Sequence, residues 1–349
     1  MSVVASGRTM DSLEEYRQRF EPLLQQTLDE RLAGCRVLLL DDTLFSFLSH
    51  ARDLTVHGGK RLRPYLVWIG ARAFGGDETA ALRAGVGLEL FHAFALIHDD
   101  VMDRGVRRHG METTHRHVTQ ILKDQQRMGE LEHVGESQAV LVGDLFFTWA
   151  AALLPSPLFF TMADEVILGQ MIDVDLTTRT EAPTELIDRK MLLKTASYSF
   201  VRPLQMGASL GGASANDLQI LETIGKPLGL AFQIQDDLLD LTVPPKELKK
   251  TAFSDLTERQ HTILTDYISK QGTQDQKNEL ARLFGVTLTE EDRSRIIDLF
   301  TASGAIAHAQ GRMRKYYDEA REHITASMLP ERTRKELEAL VAFLQDRTS

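Results

Sequence analysis

Apolar residues recur at intervals of three and four along most of this chain. The stretches "LEEYRQRFEPLLQQTLDERL", "PYLVWIGARAF", "AALRAGVGLELFHAFALI", "SQAVLVGDLFFTWAAALL" and "NDLQILETIGKPLGLAFQIQ" carry the period, which predicts amphipathic helices. Alternating runs that would predict strands are few and short. Glycine pairs and prolines punctuate the helices, as in "HGGKRLRP", "FGGDETA" and "LGGASAND". "SANDLQIL" and "TLTEEDRSRI" read as capped helix starts. Leu88–Ile97 and Leu228–Ile234 are apolar on most faces, which places them in the middle of a bundle rather than at its rim. The pattern predicts an all-α protein. The opening "MSVVASGRTM" lacks the apolar stretch of a signal peptide, and residues 1–11 are expected to be a disordered tail.

Both central segments run into acid. "FALIHDDVMD" ends at Asp103 and "AFQIQDDLLD" at Asp240. On a helix Asp99 and Asp103 are i, i+4 neighbours with Asp100 beside them, and Asp236, Asp237 and Asp240 repeat the arrangement. A solvated acidic face would explain one such motif. It does not suit two, each ending an apolar helix. Like charges at this spacing destabilise a helix, and carboxylates beside apolar surface lose hydration. Magnesium would offset them, since it takes a few carboxylates, keeps waters and completes its shell with phosphate oxygens. The paired motifs therefore predict a magnesium cluster holding a diphosphate. Arg107 and Arg108 follow Asp103 closely, and guanidinium forks suit phosphate oxygens that the metals do not reach. "GGKRLRP" adds Lys60, Arg61 and Arg63 behind glycines that let backbone approach an anion, although alone it would read as a solvated basic turn.

Composition narrows the partners. A net charge of −10 argues against nucleic acid as the main partner, because its binders carry a basic surface. A hydrophobic content of 43% is enough for a sizeable core. The one cysteine, Cys35, excludes an internal disulfide framework and fits a reducing compartment. No apolar run reaches the roughly 18 residues of a membrane span. The expectation is a cytoplasmic protein without a transmembrane segment. His98, His115 and His117 near the acids suggest zinc to the eye, but zinc sites want closed nitrogen or sulfur sets, and none is expected. His92 alone would read as a core histidine, yet it lies two turns before Asp99 on the same helical face.

"GGKRLRP", "LFHAFALIHDDVMD", "RRHG", "LVGDLFF", "LGQMID", "KTASYSF" and "FQIQDDLLD" come in the order of the blocks of the trans-prenyltransferases. The chain closely resembles that family, the isoprenyl diphosphate synthases such as farnesyl and geranylgeranyl diphosphate synthase, over nearly its whole length. The resemblance implies one all-α domain over residues 12–349, a single-domain antiparallel helical bundle of about ten or more helices around a central cavity. It implies head-to-tail condensation of isopentenyl diphosphate with an allylic diphosphate, three magnesium ions (Mg2+) per active site, and a homodimer. By the same resemblance Lys60, Arg63, His92 and Arg108 bind isopentenyl diphosphate. Arg107, Lys194, Thr195, Gln233, Lys250 and Gln260 fall at positions that serve the allylic diphosphate, with Thr195 and Gln233 facing the developing cation. Asp99, Asp100, Asp103, Asp236, Asp237 and Asp240 match the metal motifs, and Gln170 and Asp173 the block behind them.

The chain departs from the family in places. The family follows its second acidic motif with a loop of the form G-K-x-x-G-x-D-x-x-x-G-K-x-T. Here "KKTAFSDLTERQHT" keeps Lys250, Asp255 and Thr262 but puts Lys249, Phe253 and Arg259 at the glycines and Gln260 at the second lysine. Gln260 brings no charge, so a weaker grip on the departing diphosphate is expected unless Arg259 substitutes. The arginine block is short, with His109 where the family has glycine. Phe94 stands five residues before Asp99, about 7.5 Å down the helix axis. With Phe91 a turn deeper and the small Ala95 beside it, Phe94 resembles the floor of a geranylgeranyl synthase, so a C20 product is expected. Phe146, Phe147 and Phe232 are expected in the core. The alternatives are a C15 or C25 product, a terpene synthase of this fold, or a weakly active subunit of a hetero-oligomeric synthase. A terpene synthase could dispense with Lys60, Arg63, His92 and Arg108, and all four are present.

Overall fold

The computed structural model describes residues 2–154, 156–242, 253–289 and 292–347, with side chains from Ser12 onward. Helices dominate, as the spacing of apolar residues predicts, and among the described residues the strands form one two-stranded hairpin. The chain divides into two compact units. The first comprises Met10–Phe159 with Met206–Gly212, and the second Met1–Thr9, Phe160–Gln205 and Ala213–Ser349.

In the first unit lie most of α1 (Ser2–Leu39), then α2 (Asp42–Val56), α3 (Leu62–Ala73), α4 (Glu78–Met102), β1 (Arg107–Arg108), β2 (Met111–Glu112), α5 (Thr114–Asp124) and α6 (Leu131–Leu153). α4 is its axis. Asp77 caps the start by accepting from the Ala80 N–H at 2.7 Å. Leu82, Val86, Leu88, Leu90, Phe91, Phe94 and Ile97 are all buried along it. α4 is long and apolar enough to cross a membrane by length and composition alone, and 67% of its apolar window is buried inside the protein. Small residues let its neighbours close in: a Cβ on Gly87 would stand 2.9 Å from Leu154, and one on Gly143 of α6 would stand 2.3 Å from the His98 ring. α4 stops in a Schellman motif. Arg104 takes the left-handed conformation at φ 53°, and Gly105 N–H reaches back to the Asp100 carbonyl at 2.8 Å.

The second unit carries most of α7 (Pro157–Thr177), α8 (Thr184–Lys190), a π-helix (Met191–Val201), the first residues of α9 (Arg202–Leu210) and all of α10 (Ala215–Thr242). α11 (Ser254–Thr257), α12 (Ile263–Gln271), α13 (Gln274–Leu283), α14 (Asp292–Ala302), α15 (Ala305–Ala326) and α16 (Glu331–Gln345) complete it. Its core gathers Ile234 and Leu238 of α10, Phe253, Leu264 and Ile268 of α12, and Phe300 of α14. The π-helix lies tight against α10 because Gly225 and Gly229 present no side chain to it. A Cβ on Gly229 would stand 2.4 Å from the Ala196 Cα, and one on Gly225 3.0 Å from the Val201 Cα. Such π segments are rare and concentrate at functional sites.

Gly229→Ala should therefore force the two helices apart and lower stability by about 1–3 kcal/mol. Urea unfolding checks this, with Gly34→Ala as the control, since a Cβ there meets nothing within 4 Å. Equal midpoints for the two variants would refute the packing account.

Candidate active site

The first unit holds the first acidic motif at the C-terminal end of α4, where the helix dipole also disfavours negative charge. Asp99 is half-buried, and Asp103 is the cap residue of the helix. Asp100 is buried, and Arg108 grips it with a fork: Nε at 2.9 Å from Oδ2 and Nη2 at 2.7 Å from Oδ1. Burial works against the Arg108 charge, but the bonds to Asp100 and the charges of Asp99 and Asp103 hold its pKa above the ordinary arginine value. The chain reaches back through the β1–β2 hairpin, whose register pairs Arg107 with Glu112 and Arg108 with Met111. Arg107 is exposed on it.

The basic turn before α3 sorts its three cations. Lys60 is exposed. Arg61 is buried, and it donates to Glu89 at 2.5 Å, to Glu21 at 3.0 Å and to the carbonyls of Thr55 and Val56 at 2.9 Å. Arg61 is thus the anchor that holds the turn. Arg63 faces His92, with Nη1 3.2 Å from Nε2. A guanidinium can only donate, so Nε2 accepts and His92 is neutral with its proton on Nδ1. Burial, then the charges of Arg63 and Arg108, push the His92 pKa well below the usual histidine value. His92, Arg108 and His109 line a small cleft together with Arg61, Glu89, Asp100 and the Gly58–Gly59 backbone.

The other histidines serve local structure. His98 turns its Nε2 to the Val140 carbonyl of α6 at 2.9 Å. His117 stacks on His50 with ring centres 3.7 Å apart. Phe94 packs on Phe91 at 5.3 Å, on His98 at 4.6 Å and on Phe147 at 5.2 Å, and Phe147 contacts Phe159 at 5.9 Å. Ala95 is half-buried. Phe147 thus belongs to the same aromatic layer as Phe94, and its place on α6 gives no hint of that in the sequence.

In the second unit the π-helix and α10 align three polar side chains. Thr195 Oγ1 donates to Gln233 Oε1 at 2.5 Å, and Gln233 Nε2 donates to Asp237 at 2.7 Å. Asp236 pairs with Arg347 near the chain end, whose guanidinium also lies 4.3 Å above the Phe232 ring. Asp240 is buried and accepts from Ser254 Oγ at 2.9 Å and the Asp255 N–H at 3.2 Å, so it ties down the loop that follows the motif. Asp173 is shared by two lysines, Lys190 at 2.9 Å and Lys194 at 2.5 Å. Although burial favours its neutral form, both lysines hold the Asp173 pKa below the ordinary aspartate value. Gln170 is half-buried on the same helix.

Lys250 and Lys249 lie outside the described residues. The rest of the altered loop keeps left-handed backbone at positions where the family has glycine: φ is 56° at Phe253 and 60° at Arg259. The side chains secure these strained turns. Phe253 is buried in the core, and Arg259 donates to the Thr177 carbonyl at 2.8 Å and lies 5.1 Å above the Phe284 ring. Arg259 is thereby committed and does not stand in for the missing lysine. Gln260 is buried, and its Oε1 is 3.5 Å from Lys190 Nζ, which also donates to the His261 carbonyl at 2.9 Å. Lys190, which nothing in the sequence singles out, is thereby committed to Asp173 and to the backbone of this loop.

Residues 46–300 match the polyprenyl synthetase family. The geranylgeranyl diphosphate synthase of Methanosarcina mazei is 30% identical over 287 residues, covering 78% of this chain and 82% of that protein. The geranylfarnesyl diphosphate synthase of Aeropyrum pernix is 28% identical over 327 residues, covering 86% and 96%. A solved geranylgeranyl pyrophosphate synthase from Corynebacterium glutamicum, complexed with isoprenyl diphosphate and magnesium, is 28% identical with a TM-score of 0.87 over 94% of this chain and 99% of that one. The chain belongs to the polyprenyl synthetase family and is, with it, a trans-prenyltransferase. Solved relatives carry magnesium or calcium, and a divalent metal is the family's cofactor. Asp99 and Asp103 offer such an ion hard carboxylate oxygens, and the nearby His98 imidazole is turned to a carbonyl, but among the described residues no three acids or histidines stand close enough to hold a metal without further ligands.

The buried histidines make stability depend on pH. Burial is the first cause that depresses His92, His115, His117 and His261. Their unfolded value is about 6.5, so below it the unfolded chain binds more protons, and the stability present above it is lost as pH falls. The urea midpoint should decline from pH 7 to pH 5, and His92→Gln should flatten the decline. A midpoint constant over that range would contradict the neutral His92.

Proposed function

We propose that this chain condenses isopentenyl diphosphate head-to-tail with an allylic diphosphate to give the C20 geranylgeranyl diphosphate, releasing diphosphate. The observation that supports this reading is the acidic end of α4 beside a cleft lined by His92 and Arg108, where the Arg108 fork holds Asp100. Asp99 and Asp103, with Asp236 and Asp237, would be ligands of three magnesium ions, with Asp100 and Asp240 fixing the segments around them. The chemistry magnesium supplies when bound is neutralisation of the leaving diphosphate.

This chain's own groups do the rest. Lys194, steadied by Asp173, donates to the leaving diphosphate, and Arg107 and Lys250 assist. As the allylic C–O bond breaks, Gln233 and Thr195 turn oxygen lone pairs toward the developing cation. The C4 double bond of isopentenyl diphosphate, held by Lys60, Arg63, His92 and Arg108, attacks the cation, and a proton leaves to the diphosphate. Apolar α4 keeps water from the cation. The aromatic layer of Phe91, Phe94 and Phe147 stops the growing tail. The exposed apolar stripe of Phe160, Ile167, Leu168, Met171 and Val174 on α7 supports a homodimer, working in the cytoplasm, where the unpaired Cys35 is at home.

Purified protein with magnesium, labelled isopentenyl diphosphate and each of dimethylallyl, geranyl and farnesyl diphosphate should yield a C20 alcohol after dephosphorylation. Phe94→Ala should extend the product to C25 or beyond. Turnover without isopentenyl diphosphate would favour a terpene synthase instead. A C20 product unchanged in Phe94→Ala would keep the enzyme and discard the floor.

A further inference from the structure

We infer that Glu165 is a positioning residue for the allylic diphosphate: it locks the π-helix in the register that presents Lys194 and Thr195, an inference that rests on the condensation proposed above. A π-helix bonds its backbone from i to i+5, and this one ends so, with the Arg202 N–H donating to the Ser197 carbonyl. Such bonding keeps side chains five apart on one face. In an α-helix, at 3.6 residues per turn, they stand about 140° apart around the axis. Glu165 of α7 takes two side chains five apart at once. Ser197 Oγ donates to its Oε2 at 2.5 Å, Arg202 Nε donates to the same oxygen at 2.9 Å, and Arg202 Nη2 donates to Oε1. Only 17% of the Arg202 side chain and 19% of the Glu165 side chain are exposed, so water and salt screen the pair little. The grip thus falls on residues that the π register brings together.

The same face of α7 continues the contact. Glu165, Gly169 and Asp173 are four apart, hence one above another. Gly169 lets the π-helix backbone close in, since a Cβ there would stand 2.7 Å from the Lys194 backbone nitrogen. Asp173 then takes the Lys194 ammonium at 2.5 Å and the Lys190 ammonium at 2.9 Å. One stripe of α7 therefore meets the π-helix at Arg202 and Ser197, at the Lys194 backbone, and at the two lysine side chains. A return of the segment to α-helical winding would turn Lys194 and Thr195 away from Asp173 and Gln233 while Arg202 stayed at Glu165. The Thr195–Gln233–Asp237 relay needs that register too, because its first bond starts from the π-helix. Gly225 and Gly229 of α10 let that helix approach, but they carry no polar group that would fix the rotation. Glu165 supplies one.

The test is steady-state kinetics of the full chain with magnesium, varying the allylic diphosphate at saturating isopentenyl diphosphate and then the reverse. Glu165→Ala should raise KM for the allylic substrate about tenfold, the loss of one charge-assisted bond from a displaced Lys194, while KM for isopentenyl diphosphate stays within about twofold. Glu165→Gln keeps one acceptor oxygen and the shape of the side chain, so its allylic KM should return to within about threefold of the parent. Should Glu165→Ala fail to fold, Ser197→Ala cuts one arm of the lock and is read the same way. Because Glu165 acts through Lys194, adding Glu165→Ala to Lys194→Ala should raise the allylic KM by less than about threefold further. An unchanged allylic KM in the folded variant would overturn the inference. So would an equal rise for both substrates, or effects of the two substitutions that multiply in full, since either marks general damage to the fold. A parent protein that makes no prenyl product would instead overturn the proposed reaction.

Discussion

The structure is organised around a charge conflict at the end of α4. Asp99, Asp100 and Asp103 gather within the last turn of a helix that is otherwise apolar and mostly buried. Like charges one turn apart repel, the C-terminal dipole opposes them, and apolar neighbours deny them hydration. The Schellman stop at Arg104 and Gly105 then turns the chain into the hairpin that carries Arg108 back onto Asp100. The protein answers part of the conflict itself, and the account assigns the remainder to a divalent cation.

The second acidic motif meets the same problem with different partners. Asp236 takes Arg347, Asp237 takes Gln233, and Asp240 takes the hydroxyl and backbone of the following loop. This last pairing explains why the loop tolerates the loss of its glycines. Phe253 and Arg259 keep the left-handed turns because Asp240 secures the segment, a core pocket holds the phenyl ring, and the Thr177 carbonyl holds the guanidinium.

The all-α fold and the acidic helix ends were legible in the sequence because both are local patterns of period and charge. The division of labour within "GGKRLRP" was not. Arg61 looks equivalent to Lys60 and Arg63 until Glu21 and Glu89, distant in sequence, are seen to take it. Lys190 was invisible for the same reason, since its partners Asp173 and His261 come from other helices and loops. The π-helix leaves no signature in a pattern read at 3.6 residues per turn, and only the approach of Gly225 and Gly229 reveals why it lies where it does. Phe147 looked like ordinary core until its ring was found against Phe94.

The central claim is that the acids ending α4 are an electrostatic burden kept for a cation. Thermal unfolding of the full chain tests it most directly, with and without magnesium plus inorganic diphosphate, in the parent and in Asp103→Asn. The account predicts that the apo variant is more stable than the apo parent by about 0.5–1 kcal/mol, the repulsion and dipole terms relieved. It also predicts that the parent gains about 2.7 kcal/mol at ligand a hundredfold above its Kd, and that the variant loses most of that gain. A variant that is less stable without metal, or that keeps the full stabilisation with it, would contradict the account.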